Sequence, residues 1–174
     1  MSAATLIIRD ERGSDHTAIR GVIDAAFLGM PYAAGDEAAL VETLRADGAL
    51  TVSLVAELDA VVVGHIAFSP ARALDPAQAW YALGPVAVLP AQQRTGIGSK
   101  LVRAGLERIA ALGAAGCILT GNPAYYARFG FEPAPANAPA GEPAEFFMVK
   151  RLGAQRVEGP VRFHPAFDGS ISTE

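Results

Sequence analysis

Cysteine is nearly absent from the 174-residue chain: Cys117 stands alone, which excludes an internal disulfide framework and a cysteine-rich metal site. The three histidines, His16, His65 and His164, lack metal-ligand spacing, so no metal is expected. No run of roughly 18 apolar residues occurs. Charges at Arg9, Asp10 and Glu11 also arrive before a signal-peptide core could form, so the expected location is cytoplasmic, with no membrane partner. Charged residues make up only 18% of the chain and sum to −4, which argues against nucleic acid or an anionic membrane as partner. Aromatic residues are few (8 Phe, 4 Tyr, 1 Trp), so the core is expected to rest on small aliphatic side chains and closely packed helices. Cys117 lies in the apolar run Cys117-Ile118-Leu119 and reads as a buried small hydrophobe.

What is present is a mixed α/β pattern. The length suits one domain with a real core, and neither a linker nor a repeat divides it. A single domain over residues 1–174 is expected, with its core at about 6–151 and a C-terminal strand and tail at 152–174. Residues 5–9 alternate as a first strand, and Ser14 is placed to cap a helix reaching about residue 28, with the stripe Ile19, Val22, Ile23, Ala26 and Phe27. A second helix is predicted at 36–46, with Gly48 to end it. Residues 51–57 and 61–68 read as a hairpin around Leu58-Asp59-Ala60, and Pro70 and Pro76 mark the loop beyond. Then come a strand at 81–89 stopped by Pro90, a helix at 99–112 ended by Gly113, an apolar strand at 115–120 and a short helix through Arg128. A Pro/Ala-rich loop at 132–143 precedes strands at 145–151 and 161–164. The order is β-α-α-β-β-β-α-β-α-β-β.

The most informative stretch runs from Val86 through Pro90 and Gln93-Arg94-Thr95-Gly96-Ile97-Gly98 to Ser99-Lys100. A strand that ends in a glycine-containing loop opening a helix presents free amides on the positive end of a helix dipole, which suits phosphate. Across residues 89–108, Arg94, Lys100, Arg103 and Arg108 face one anion, Glu107. That local excess of cations favours a polyanionic ligand; an ordinary turn with a solvated basic helix face is the bland alternative. Other phosphate motifs fail. There is no Gly-x-x-x-x-Gly-Lys-Ser/Thr, and the third glycine of a dinucleotide fingerprint would fall on Leu101. No Gly-x-Ser-x-Gly marks a serine hydrolase.

Gln93-Arg94-Thr95-Gly96-Ile97-Gly98 resembles the Gln/Arg-x-x-Gly-x-Gly/Ala motif of the GNAT superfamily of acetyl-CoA-dependent N-acetyltransferases. Asn122-Pro123-Ala124-Tyr125-Tyr126-Ala127-Arg128-Phe129-Gly130-Phe131 resembles its second landmark, a tyrosine four residues before Gly-Phe. The resemblance covers roughly residues 6–151, including the strand Val63-Gly64-His65-Ile66. It implies a mixed α/β, GNAT-like acyl-CoA N-acyltransferase fold: a central twisted, mostly antiparallel sheet flanked by helices. Its fourth and fifth strands, near Val86 and Ile118, would splay apart to take the pantetheine arm of acetyl-CoA. On this mapping Val86, Ala87 and Val88 form the pantetheine edge, with Val86 and Val88 bonding its amides like an added strand. The segment Gln93, Arg94, Thr95, Gly96, Ile97, Gly98, Ser99 and Lys100 would hold the pyrophosphate. Asn122 stands four residues before Tyr126 rather than the family's usual seven and is a further candidate for the pantetheine.

The resemblance also implies direct attack of a neutral amine on the acetyl thioester, with CoA as co-substrate and no covalent acyl-enzyme. An amide near Val88 would polarise the thioester carbonyl. Tyr126, by motif position, would protonate the departing thiolate, against the alternative of a core aromatic and of confusion with Tyr125. An amine with a lysine-like pKa near 10.4 must lose a proton first; Glu37 or His65 is the candidate base, each with a structural alternative. Tyr32, Asp36 and Trp80 are candidate acceptor-site residues, and a homodimer, common in the family, is a further expectation. Alternative functions are a non-catalytic acyl-CoA-binding regulatory module and an acyltransferase using a longer acyl-CoA.

Overall fold

Alternating aliphatic and β-branched residues build a seven-stranded sheet whose strands lie side by side in the order Leu6–Asp10, Val52–Leu58, Val61–Ala71, Trp80–Val88, Gly116–Thr120, Phe147–Arg151 and Glu132–Pro133. The computed structural model describes residues 4–31, 33, 35–154 and 156–170. In chain order the elements are β1 (Leu6–Asp10), α1 (His16–Phe27), α2 (Glu37–Ala46), β2 (Val52–Leu58), β3 (Val61–Ala71), β4 (Trp80–Val88), α3 (Ile97–Ala111), β5 (Gly116–Thr120), α4 (Pro123–Tyr126), β6 (Glu132–Pro133) and β7 (Phe147–Arg151). The β4–β5 pair is parallel and the other named pairs are antiparallel. This is the mixed α/β architecture expected from the sequence.

The two faces of the sheet carry different layers. On one face α3 lays Leu101, Val102, Leu106 and Ile109 against Leu54, Ile66, Phe68 and Leu119, at the 3–4 residue spacing of a helix stripe. Full burial of Leu101 or Ile109 stabilises the fold by about 1.5–3 kcal/mol each. The helix sits so close to β3 that a β-carbon at Gly105 would overlap the Phe68 ring. On the other face Ile19, Val22, Ile23 and Ala26 of α1 and Ala38 and Val41 of α2 pack on Val55, Ala67 and Ala87. A third cluster, with Trp80, Ile118, Phe147 and Val161, lies around β4, β5 and β7. Cys117 on β5 is fully buried in the α3-side cluster, and burial pushes its thiol pKa up.

Several expectations are corrected. Ser14 is not the helix cap: the Asp15 carboxylate accepts from the Arg12 amide at 2.6 Å and closes a 3₁₀ turn before α1. Pro70 lies inside β3 rather than after it, opposite Tyr81. The Pro/Ala segment hides β6, two residues paired with Met148 and Val149, too short to show alternation. Residues 144–146 form a 3₁₀ turn, so β7 begins at Phe147. Residues 161–164 form no named strand; Arg162 makes an isolated bridge with Arg72.

Candidate active site

The parallel β4–β5 contact is short: Trp80, Tyr81 and Ala82 pair with Gly116, Cys117 and Ile118, and pairing stops there. Among the described residues, β4 from Leu83 to Val88 therefore has a strand neighbour on its β3 side alone. The register slips between Ile66 and Phe68, opposite the Gly84-Pro85 step, and such a bulge bends a strand. This bend and the end of pairing produce the splay.

The direction of each backbone group along this edge follows from one bond. The Leu89 amide donates to the Val63 carbonyl at 2.8 Å. In an antiparallel ladder bonded and non-bonded pairs alternate, so Val88 opposite Gly64 and Val86 opposite Ile66 aim their peptide groups away from β3. Ala87, opposite His65, faces into the ladder and buries its side chain. Val86 and Val88 thus present an open strand edge, and Ala87 does not. The Val88 carbonyl accepts from the Gln93 side-chain amide at 2.9 Å, so Gln93 fastens the following loop to the strand.

That loop forms the second part of the site. Arg94 and Gly96 take positive φ, 65° and 90°, and Thr95 Oγ1 donates to the Gln92 carbonyl at 2.6 Å. Gly96 is the N-cap of α3 and has no side chain to meet the orphan amides. The first amide to find an intrahelical partner is that of Lys100, on the Gly96 carbonyl. Among the described residues, the amides of Arg94, Thr95, Gly96, Ile97, Gly98 and Ser99 have no backbone acceptor. Six consecutive donors at the positive end of a 15-residue helix make a fitting cradle for a diphosphate.

The cations sort differently from the sequence reading. Arg108 is held by Asp10 through two bonds of 2.8 and 2.9 Å, and this pairing lowers the Asp10 pKa; Arg108 therefore belongs to the α3–β1 contact and not to an anion site. Arg103 lies over the Phe129 ring at 5.0 Å. Arg128, which the local charge count missed, lies over the Tyr125 ring at 4.4 Å. Its signal in the sequence was its place beside the aromatic run. Tyr125 is edge-on to Tyr126 at 5.0 Å and to Phe129 at 5.5 Å. The Tyr126 ring lies over Gly121, just past the end of β5, and 6.0 Å from Phe131. Asn122 caps α4, its side-chain oxygen accepting from the Ala124 amide at 2.9 Å.

The remaining sequence candidates scatter. His65 is fully buried on β3. Its Nε2 lies 2.8 Å from Ser53 Oγ, and that hydroxyl donates to Glu11 Oε1 at 2.6 Å. Because Ser53 has one proton, His65 Nε2 is the protonated nitrogen and donates, leaving Nδ1 without a hydrogen-bond partner among the described residues. Burial pushes the His65 pKa down to about 4. Glu37 and Asp36 sit at the start of α2, both half-buried. Trp80 is 2% exposed in the core and donates to Gln78, so it lines no acceptor cleft. Tyr32 lies outside the described residues. Among the described residues no His, Cys, Asp and Glu cluster could hold a metal, and no helix is long and apolar enough to cross a membrane.

Comparison with known proteins agrees with this geometry. Residues 10–131 match the Acetyltransferase (GNAT) family. The chain is 36% identical over 152 residues to the uncharacterized N-acetyltransferase YhbS of Escherichia coli strain K12, covering 82% of this chain and 90% of that protein. A crystal structure of YhbS from Escherichia coli in complex with CoA superposes with a TM-score of 0.86 at 33% identity, covering 97% of this chain and 94% of the other. A GNAT family acetyltransferase from Brucella melitensis in complex with acetyl-CoA gives 0.84 at 45% identity, with 94% and 99% covered. A splayed β4–β5 edge followed by an amide-rich helix start, together with these matches, places the chain in the acetyltransferase (GNAT) family, as an N-acetyltransferase.

Proposed function

We propose that the chain transfers the acetyl group of acetyl-CoA directly to a primary amine. The observation that carries this reading is the continuity of two unpaired donor arrays: the open β4 edge at Val86 and Val88 leads straight into the six free amides of residues 94–99. An extended arm with two amides and a diphosphate at its end has the shape to engage both. Acetyl-CoA supplies the acetyl thioester. The chain's own part is to hold the arm along β4, to aim the Val88 amide at the thioester carbonyl, and to seat the phosphates on the start of α3, with Arg94 and Lys100 adding charge. Asn122 keeps its side-chain NH₂ for the pantetheine, since its oxygen is engaged by Ala124.

Tyr126, at the end of β5, is the proton donor to the departing sulfur through its phenolic oxygen. The amine must lose a proton before attack. Glu37 suits this role better than His65, because it sits half-buried at the start of α2 and water can reach it. His65 is sealed in the core, with its protonated nitrogen fixed on Ser53. The test is calorimetric titration of the protein with CoA and acetyl-CoA, followed by thiol release from acetyl-CoA over a panel of primary amines. Binding and amine-dependent thiol release support the proposal. Binding without release from any amine overturns the transferase reading for these acceptors, and no binding overturns the site.

A further inference from the structure

Tyr126, the landmark tyrosine, and its neighbour Tyr125 do not occupy equivalent places, and their difference assigns a second role. A β-carbon built on Gly98 would lie 3.4 Å from the Tyr125 hydroxyl and 3.8 Å from Val88 Cγ2. The Tyr125 phenol therefore stands over the first turn of α3, beside the free amides, where the end of β4 meets the helix. Tyr126, in contrast, lies over Gly121 beyond β5.

Tyr125 is also fixed there. Tyr126 and Phe129 meet its ring edge-on. Arg128 lies over the ring at 4.4 Å while its Nε donates to the Tyr125 carbonyl at 2.8 Å. One of the five guanidinium donors holds the tyrosine, and among the described residues no carboxylate pairs with the other four. A phenol donor and a guanidinium with no carboxylate partner among the described residues, held beside six amides without backbone acceptors, match the needs of a diphosphate bridge, which offers several anionic oxygens.

We propose that Tyr125 and Arg128 form a clamp on the CoA diphosphate, closing from the α4 side the cradle that residues 94–99 open from the α3 side. Tyr125 donates its phenolic hydrogen to a phosphate oxygen, and Arg128 both fixes the tyrosine and adds its own charge. The pair determines affinity for phosphorylated donors and leaves the acyl-transfer step to other residues. The proposal rests on the CoA-binding reading of this cleft and not on the identity of the acceptor.

The experiment measures binding of CoA and of dephospho-CoA, which lacks the 3′-phosphate and keeps the diphosphate, to wild type, Tyr125→Phe, Arg128→Gln and Arg128→Lys by titration calorimetry. Loss of a hydrogen bond to a charged group predicts about a tenfold weaker Kd for Tyr125→Phe, equal for the two ligands. Arg128→Gln should lose as much or more, and Arg128→Lys should recover part of it. Thermal midpoints of the free variants serve as the folding control. An effect confined to CoA would move the clamp to the 3′-phosphate and overturn the proposal. Unchanged affinities in folded Tyr125→Phe would overturn it too, as would unchanged KM for acetyl-CoA with a collapsed kcat, which would make Tyr125 the acid. If wild type binds neither ligand, the CoA-site reading fails and the clamp with it; absence of turnover with intact CoA binding leaves the clamp measurable.

Discussion

Two polar regions of the molecule contrast: the β4–α3 junction, and the lower end of β1, β2 and β3. Both gather charged and hydrogen-bonding residues, yet in one the donors are free and in the other they are engaged with each other. Around β1 to β3, Arg9 bonds both Asp15 and Glu57, Arg45 holds Glu11 through two bonds of 2.9 Å, and Ser53 links Glu11 to His65. At the β4–α3 junction six amides have no backbone acceptor among the described residues, and the Arg103 and Arg128 guanidiniums lie on aromatic rings. Charge by itself therefore does not locate a site. What locates it is polar capacity that folding leaves unpaired and solvent can reach, because a buried pair has already balanced its own desolvation.

The largest effect that can break this contrast is chemical. Tyr126→Phe should lower kcat by about 10²- to 10⁴-fold, the range for a lost general acid, with CoA affinity kept; steady-state thiol release and calorimetry together read it. An unchanged kcat would remove Tyr126 from the reaction. Next, Gly98→Trp should weaken CoA binding by about a hundredfold or more, roughly 2.7 kcal/mol, while the thermal midpoint stays near wild type. The indole would fill the space between Val88 and Tyr125 without entering the core.

A third pair of variants sharpens the comparison directly. Glu37→Gln should lower kcat about tenfold or more at neutral pH. His65→Gln should leave it within about threefold once losses of folded protein are corrected for, because no substrate reaches a fully buried ring. The reverse result would place the proton path in the closed region.

The smallest effects concern stability against pH. The Arg9 guanidinium and the Arg12 amide hold Asp15 down at about 2, below its ordinary 3.8. The unfolded chain then binds the extra proton, so this contribution is present above about pH 4 and is lost as pH falls toward 2. His65 is held near 4 against 6.5; between these values the unfolded chain again binds more protons, and stability falls as pH drops from 6.5 to 4. Urea midpoints across pH should therefore show two separate windows, with Asp15→Asn flattening the lower and His65→Gln the upper. A His65→Gln profile identical to wild type between pH 4 and 6.5 would show that the ring is not sealed as described.

Much of the fold was legible because its signals are local. The Leu58-Asp59-Ala60 turn, where Asp59 and Ala60 take φ of 49° and 69°, and the stripe from Leu101 to Ile109 follow from nearest-neighbour pattern. The amide-rich helix start was legible for the same reason, since glycine, loop and helix start are contiguous. β6 was not: two residues, Glu132 and Pro133, carry no period, and only β7 beside them makes a strand. The count of cations near α3 failed for a related reason. Arg108 finds Asp10, 98 residues away, and no window of sequence contains both.

The sequence by itself determined the element order from β1 to α4, the glycine-marked helix start, the two family landmarks and the absence of a disulfide framework, all properties of residues adjacent along the chain. Tertiary structure alone decided which strand groups stay unpaired, because that depends on where β5 parts from β4. It also decided which charges remain available, because Arg108 is neutralised by Asp10 while Arg128 is not neutralised by any described carboxylate. Finally, it separated two tyrosines that are neighbours in sequence, one over the start of α3 and one over the end of β5, since consecutive residues on a single helical turn point about 100° apart.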